Sequence, residues 1–214
     1  MTTKLQIYNT ALRYCKDRSI TLTENREPRR LLDAVWDNGG VNKCLEEAMW
    51  KFATRTVRLD WDPTVVPEFG HTRSFAKPDD WIITVAICSD EYFDVPLTRY
   101  VHENNYWYAD IDELYVRYIS NDGAYGNDLS LWPATFADFV AAHFAKEIVN
   151  KLTGGNRETI QEVREIYREN KLAAKGKDAW NQPTAFPAPG NWSTSRGRSR
   201  GVASDRGNRG SLLG

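Results

Sequence analysis

Near the start of the chain, Leu5, Tyr8, Leu12 and Cys15 fall three and four residues apart. That spacing marks one face of an α-helix. The polar stretch TLTENRE then reads as a loop, and Pro28 suits the first turn of a second helix. Leu31, Leu32, Val35 and Trp36 give this helix an apolar stripe, which DNGG at 37–40 interrupts. The pattern resumes at Val41, Leu45, Ala48, Met49 and Phe52, so a kinked helix or two short helices are expected.

From Thr56 the period changes to two. Val57, Leu59 and Trp61 alternate with Thr56, Arg58 and Asp60, as in a half-buried strand. A turn at Pro78 leads into a β-branched run from Trp81 to Ile87. HENN sits between aromatic segments and predicts a hairpin. Leu114, Val116 and Tyr118 share one face of a closing strand. The connections look too short for helical crossovers, so a small antiparallel sheet is expected over 55–120.

Helical spacing returns after Pro133, with Phe136, Val140, His143, Phe144, Ile148 and Leu152 on one stripe. Thr153, Gly154 and Gly155 end it, and Asn156 can cap a final helix lined by Ile160, Val163, Tyr167 and Ala174. That helix is expected to fade around Lys175 and Gly176. The predicted fold is α+β and mainly α. Residues 1–54 and 130–180 form an antiparallel helical bundle, residues 55–129 an inserted β domain, and residues 181–214 an extended C-terminal arm. The sheet is expected to project outside the bundle.

Composition adds little to this until the end of the chain. The chain of 214 residues is 41% apolar and 27% charged, with a formal net charge of −1. As a whole it has no general attraction for nucleic acid or an anionic membrane. The last 25 residues carry five arginines against Asp205, a local charge of +4. Trp180, Phe186 and Trp192 are spaced along a Pro/Gly-rich stretch before them. This combination predicts a docking arm, with Trp180, Phe186 and Trp192 as anchors. Arg196, Arg198 and Arg200 would pair with carboxylates or carbonyls of a partner. The three cysteines are far apart without a CxxC pair, as expected of buried free thiols. No apolar run is long enough to span a membrane, and the first residues do not read as a signal peptide.

Catalytic patterns are weak. No HExxH, GxSxG or P-loop stretch occurs. Gly197, Gly201, Gly207 and Gly210 neither follow a strand nor open a helix, as a phosphate cradle requires. His71, His102 and His143 are dispersed, and His143 reads as a hydrogen-bonded core histidine. The pairs Asp79–Asp80, Asp90–Glu91 and Asp112–Glu113 read as solvated loop charge. No cofactor, metal ligand or catalytic residue is expected.

Four stretches, taken in order, resemble the head-to-tail connector (adaptor) family of short-tailed phages, the tail tubular protein A family. They are MWKFATR (49–55), FAKPDDW (75–81), LYVRYI (114–119) and the helix FADFVAAHFAKEIVNKLTGG. The resemblance spans roughly residues 5–180. DNGG and the C-terminal arm depart from the family pattern. The resemblance implies a non-enzymatic virion protein at the head–tail junction, assembled in the host cytoplasm. It implies a homo-oligomeric ring of about twelve copies beneath the portal protein. The ring extends the channel for genomic DNA, without sequence-specific binding, and offers a platform to a tail or nozzle protein. The free protein is expected to be monomeric or weakly associated. Two rivals remain: a nucleic-acid-binding module that uses the Arg/Gly-rich end, and a peptidoglycan hydrolase that uses a carboxylate pair.

Overall fold

In the computed structural model, which describes residues 2–21, 23–68 and 70–181, the chain enters its first helix through a capping box. The Gln6 N–H donates to the Thr3 hydroxyl, and the Thr3 N–H donates back to Gln6 Oε1. Two of the four otherwise unpaired amides are satisfied in this way. Helix α1 (Lys4–Tyr14) buries Ile7, Tyr8, Ala11 and Leu12.

The DNGG interruption resolves into a corner. Helix α2 (Glu27–Asp37) opens with Pro28, and a separate helix α3 (Gly40–Leu45) follows. Gly39 makes the turn with φ at 75°, in the left-handed region. Gly40 serves a different purpose. A Cβ there would lie 2.7 Å from the Val35 carbonyl oxygen and 2.9 Å from the Phe144 ring. The second glycine therefore lets the α2–α3 corner approach Phe144 on helix α4 (Ala134–Leu152) without a clash.

Helix α4 packs against α1, α2, α3 and the last helix, α5 (Arg157–Trp180). Phe136, Phe139, Val140, Phe144 and Ile148, from the stripe and beside it, are all buried. Trp50 and Trp132 meet Phe136 edge-on at 4.9 and 5.0 Å between ring centroids, geometries favoured by the ring quadrupoles. Gly154 and Gly155 take positive φ after α4, and the Asn156 side chain accepts from the Glu158 and Thr159 amides at the start of α5.

Between the helices the chain forms strands β1 (Thr54–Asp60), β2 (Arg73–Ala76), β3 (Trp81–Cys88), β4 (Val101–Glu103), β5 (Tyr106–Ala109) and β6 (Glu113–Ser120). The described strands make two three-stranded antiparallel sheets, β1-β6-β3 and β2-β5-β4, where one sheet was expected. The split arises at the turn around Pro78. β2, before that turn, pairs with β5, while β3, after it, pairs with β6. Asn104, with φ at 47°, sits in the two-residue turn joining β4 to β5.

Strand β6 explains how the insertion is held. Leu114, Val116 and Tyr118 join Phe75 and Trp107 in a second core shared by both sheets. Next along the strand, Ile119 belongs to the helical core, with Ile82, Ile83 and Val85 of β3 packed against it. One sheet therefore leans on the helices as well as on the other sheet, instead of projecting free of them. The fold is mixed α+β, with five α-helices and two small antiparallel sheets among the described residues.

Candidate docking surface

Helix α5 does not fade at Gly176. It continues to Trp180 because the facing segment holds it. The Glu47 carboxylate pairs with Lys171 at 2.5 Å and lies 3.7 Å from Lys175. Further along, the Asp178 carboxylate accepts from the Lys51 backbone N–H at 3.0 Å, and Ala174 is buried. Gly176 is exposed, and a Cβ added there would meet nothing within 4 Å, so a glycine costs only about 1 kcal/mol of helix propensity.

The consequence falls on Trp180, which sequence reasoning assigned to a loose segment. It is the last residue of α5 and is 80% exposed, the highest value among the large apolar side chains described. Lys177 stands 5.2 Å from its ring centroid. Leu172, 71% exposed, lies two turns earlier on the same side of the helix. This stripe of α5 faces away from the core. The other expected anchors and pairing residues, Phe186, Trp192, Arg196, Arg198 and Arg200, lie outside the described residues, so only Trp180 of that set can be placed.

A second feature was not anticipated. Helices α3, α4 and α5 enclose an open cleft of about 410 Å³, with Cys44, Glu47, Phe139, His143, Lys146 and Tyr167 among its lining residues. Burial pushes the Cys44 thiol above the usual thiol range, so it stays protonated. Burial and the nearby Glu47 raise the Tyr167 phenol to about 12. Lys146 lies 4.7 Å above the Tyr167 ring.

His143 is buried as expected, at 6% exposure, but the hydrogen bonding expected of a core histidine is incomplete. Among the described residues its Nε2 has no hydrogen-bond partner. Burial, partly opposed by Glu147, lowers its pKa and keeps the imidazole neutral. The cleft left little trace in the sequence because its walls come from positions about a hundred residues apart. The one local signal was a histidine within the apolar stripe of α4.

Each acid pair has at least one member engaged in structural contacts, which corrects the reading of Asp80 as solvated loop charge. Asp80 accepts from Arg55, Tyr118 and Ser120. Asp90 accepts from the Asp94 and Val95 amides, Glu113 pairs with Arg58, and Asp112 pairs with Arg73. Among the described residues, no group of three or more His, Cys, Asp or Glu side chains is placed to hold a metal ion. No described helix is long and apolar enough to cross a membrane.

No protein-family model matches the chain, and no curated protein is significantly similar to it.

Proposed function

We propose that this chain is the head-to-tail connector subunit of a short-tailed phage particle. In this reading it forms a ring of about twelve copies beneath the portal protein. The ring extends the DNA channel and carries the tail or nozzle protein. Genomic DNA passes through without sequence-specific contacts, and the chain carries out no catalysis. The helical layer is an antiparallel bundle from which the β insertion arises.

One observation carries the reading. The stretches that bear the resemblance meet in space at a few shared contacts. Arg55 and Tyr118, from two of them, both donate to the Asp80 carboxylate of a third. Phe136, at the start of the fourth, packs on Trp50 and Phe52 of the first. The resemblance thus rests on residues that hold one framework together. The helical end of α5, with Trp180 facing solvent beside the expected arm, supports a docking role for the arm. In that role Phe186 and Trp192 would be further anchors, and Arg196, Arg198 and Arg200 would pair with portal or neighbour carboxylates.

The arm is tested by truncating the chain after Gly190 and, separately, by Trp192→Ala. Binding to purified portal rings is then followed by co-sedimentation. Loss of binding in both variants is expected. Undiminished binding in both would remove the arm from the docking scheme. Steeply salt-dependent binding to DNA, unaffected by Arg196→Lys, would favour the nucleic-acid-binding module instead.

A further inference from the structure

We infer that the loop between β3 and β4 is a seat for the arm of a second copy, whose prolines and arginines meet its exposed tyrosine and carboxylates. This rests on the docking role proposed for the arm and names its partner surface. Exposed apolar side chains concentrate at the loop. Of the ten large apolar side chains exposed among the described residues, Tyr92, Val95, Tyr100 and Val101 fall within ten consecutive positions. Tyr92 is 78% exposed and Val95 56%. Scattered single residues of this kind need no explanation, but a concentration of them marks an interaction surface.

The loop holds this display in place with its own polar groups. The Asp90 carboxylate accepts from the Asp94 and Val95 amides at 2.9 and 2.8 Å, and the Ser89 N–H donates to the Val95 carbonyl at 3.2 Å. Phe93 is held by Arg117, which stands 4.3 Å from its ring centroid. A partner therefore meets a preformed surface, and little ordering entropy is lost on this side of the contact.

Charge selects the occupant. Residues 89–101 carry Asp90, Glu91 and Asp94 against Arg99, a local charge of −2. Asp90 is spent on the loop's own amides. Glu91 and Asp94 are exposed and, among the described residues, stand in no ion pair. The last 25 residues of the chain carry +4. Pro183, Pro187 and Pro189 come first in the arm, and Arg196, Arg198 and Arg200 follow. Proline-rich segments dock on aromatic side chains, and carboxylates take the planar fork of arginine. The loop offers both, with Tyr92 between Glu91 and Asp94.

Reach and position allow the contact. The 17 residues from 182 to 198 span about 56 Å when extended, at roughly 3.3 Å each. Cys88, where β3 enters the loop, is level with Tyr115 on β6, whereas Ile119, four residues on, belongs to the helical core. The loop thus stands at the end of its sheet remote from that core. The contact joins two different surfaces, so it repeats from copy to copy. Each contact is weak alone, and a template holding many copies would reinforce it.

The test is a charge exchange between two variants of the full chain, read by sedimentation velocity up to about 500 µM. Wild-type protein is expected to show a sedimentation coefficient that rises with concentration. Glu91→Arg with Asp94→Arg should weaken this self-association at least tenfold. Arg196→Glu, Arg198→Glu and Arg200→Glu together should do the same. Mixing the two variants makes every loop opposite in charge to the other variant's arm, and should restore association to the wild-type level. Benzoylphenylalanine at position 92 should cross-link to residues 183–200 of an isotopically distinct copy. Wild-type protein that stays monomeric at every concentration would overturn the seat. So would a mixture no more associated than either variant alone, or cross-links confined to one copy. Loss of the seat with portal binding by the arm intact would leave the docking role standing.

Discussion

The Arg55 guanidinium donates to the Asp80 carboxylate at 2.9 Å, joining the first residues of β1 to the turn that opens β3. The same carboxylate accepts the Tyr118 hydroxyl at 2.9 Å and the Ser120 hydroxyl, both from β6. Arg55 also stacks 5.3 Å from the Tyr125 ring beyond β6. One acid thus fastens three strands at the point where the insertion meets the helices. Arg55 is about a third exposed, so the energy lies less in the ion pair than in the half-buried hydrogen bonds.

Asp80→Ala leaves the Tyr118 and Ser120 hydroxyls and the Arg55 guanidinium without their acceptor. A loss of roughly 1–3 kcal/mol is expected in urea denaturation, the usual cost of orphaned buried polar groups. Arg55→Ala combined with Asp80→Ala should cost less than the sum of the two single changes, because the partners act as a unit. Strict additivity would show that Asp80 and Arg55 do not cooperate.

The same carboxylate should govern acid stability. Burial alone would raise the Asp80 pKa, but the hydrogen bonds from Ser120, Arg55 and Tyr118 outweigh it and hold it below the ordinary carboxylate value. Its folded-state pKa is thus lower than in the unfolded chain. The stabilisation is full above the unfolded value of about 4 and is lost as pH falls through the folded one. Asp80→Asn should therefore flatten the fall in melting temperature below about pH 4. An unchanged acid limb would rule out this carboxylate as its source.

The helical core depends on Phe144, which contacts the rings of Tyr8 and Trp36 at centroid distances of 6.3 and 5.8 Å and is fully buried. Phe144→Ala should destabilise the protein by roughly 3–5 kcal/mol in urea titration. An unchanged midpoint would contradict the packing described.

Mild acid should also weaken the fold through His143. Burial depresses its pKa, so the folded chain resists taking up a proton that the unfolded chain accepts near pH 6.5. Stability present above that value is lost as pH falls through the depressed folded value. His102 on β4 adds a loss of the same sign, through burial and the adjacent Lys77. Comparing wild type with His143→Phe between pH 7 and 5 should show a shallower decline in the variant. Identical slopes would mean that His143 is not desolvated.

Much of the element order could be read locally. The stripe of α4, the Asn156 cap, the HENN hairpin and the alternation in β6 all depend on neighbours a few residues apart. What escaped notice depends on distant partners. The pairing of β2 with β5 is decided by Phe75 and Trp107 sharing a core, which no local period records. The extension of α5 to Trp180 depends on Lys51 and Glu47, more than a hundred residues upstream. Trp180 was singled out by composition alone, since an aromatic beside a Pro/Gly-rich stretch stands out, and the structure places it exposed at the end of α5. The cleft between α3, α4 and α5 was not, because Cys44, His143 and Tyr167 carry no mutual spacing.

The central claim, a connector that docks beneath a portal, is tested most directly by mixing the purified protein with portal rings of the same phage and imaging the mixture by negative stain. The account predicts a second ring of density stacked coaxially at one end of the portal, saturating at about one copy per portal subunit. Portal rings that stay bare at a large excess of the protein would contradict it.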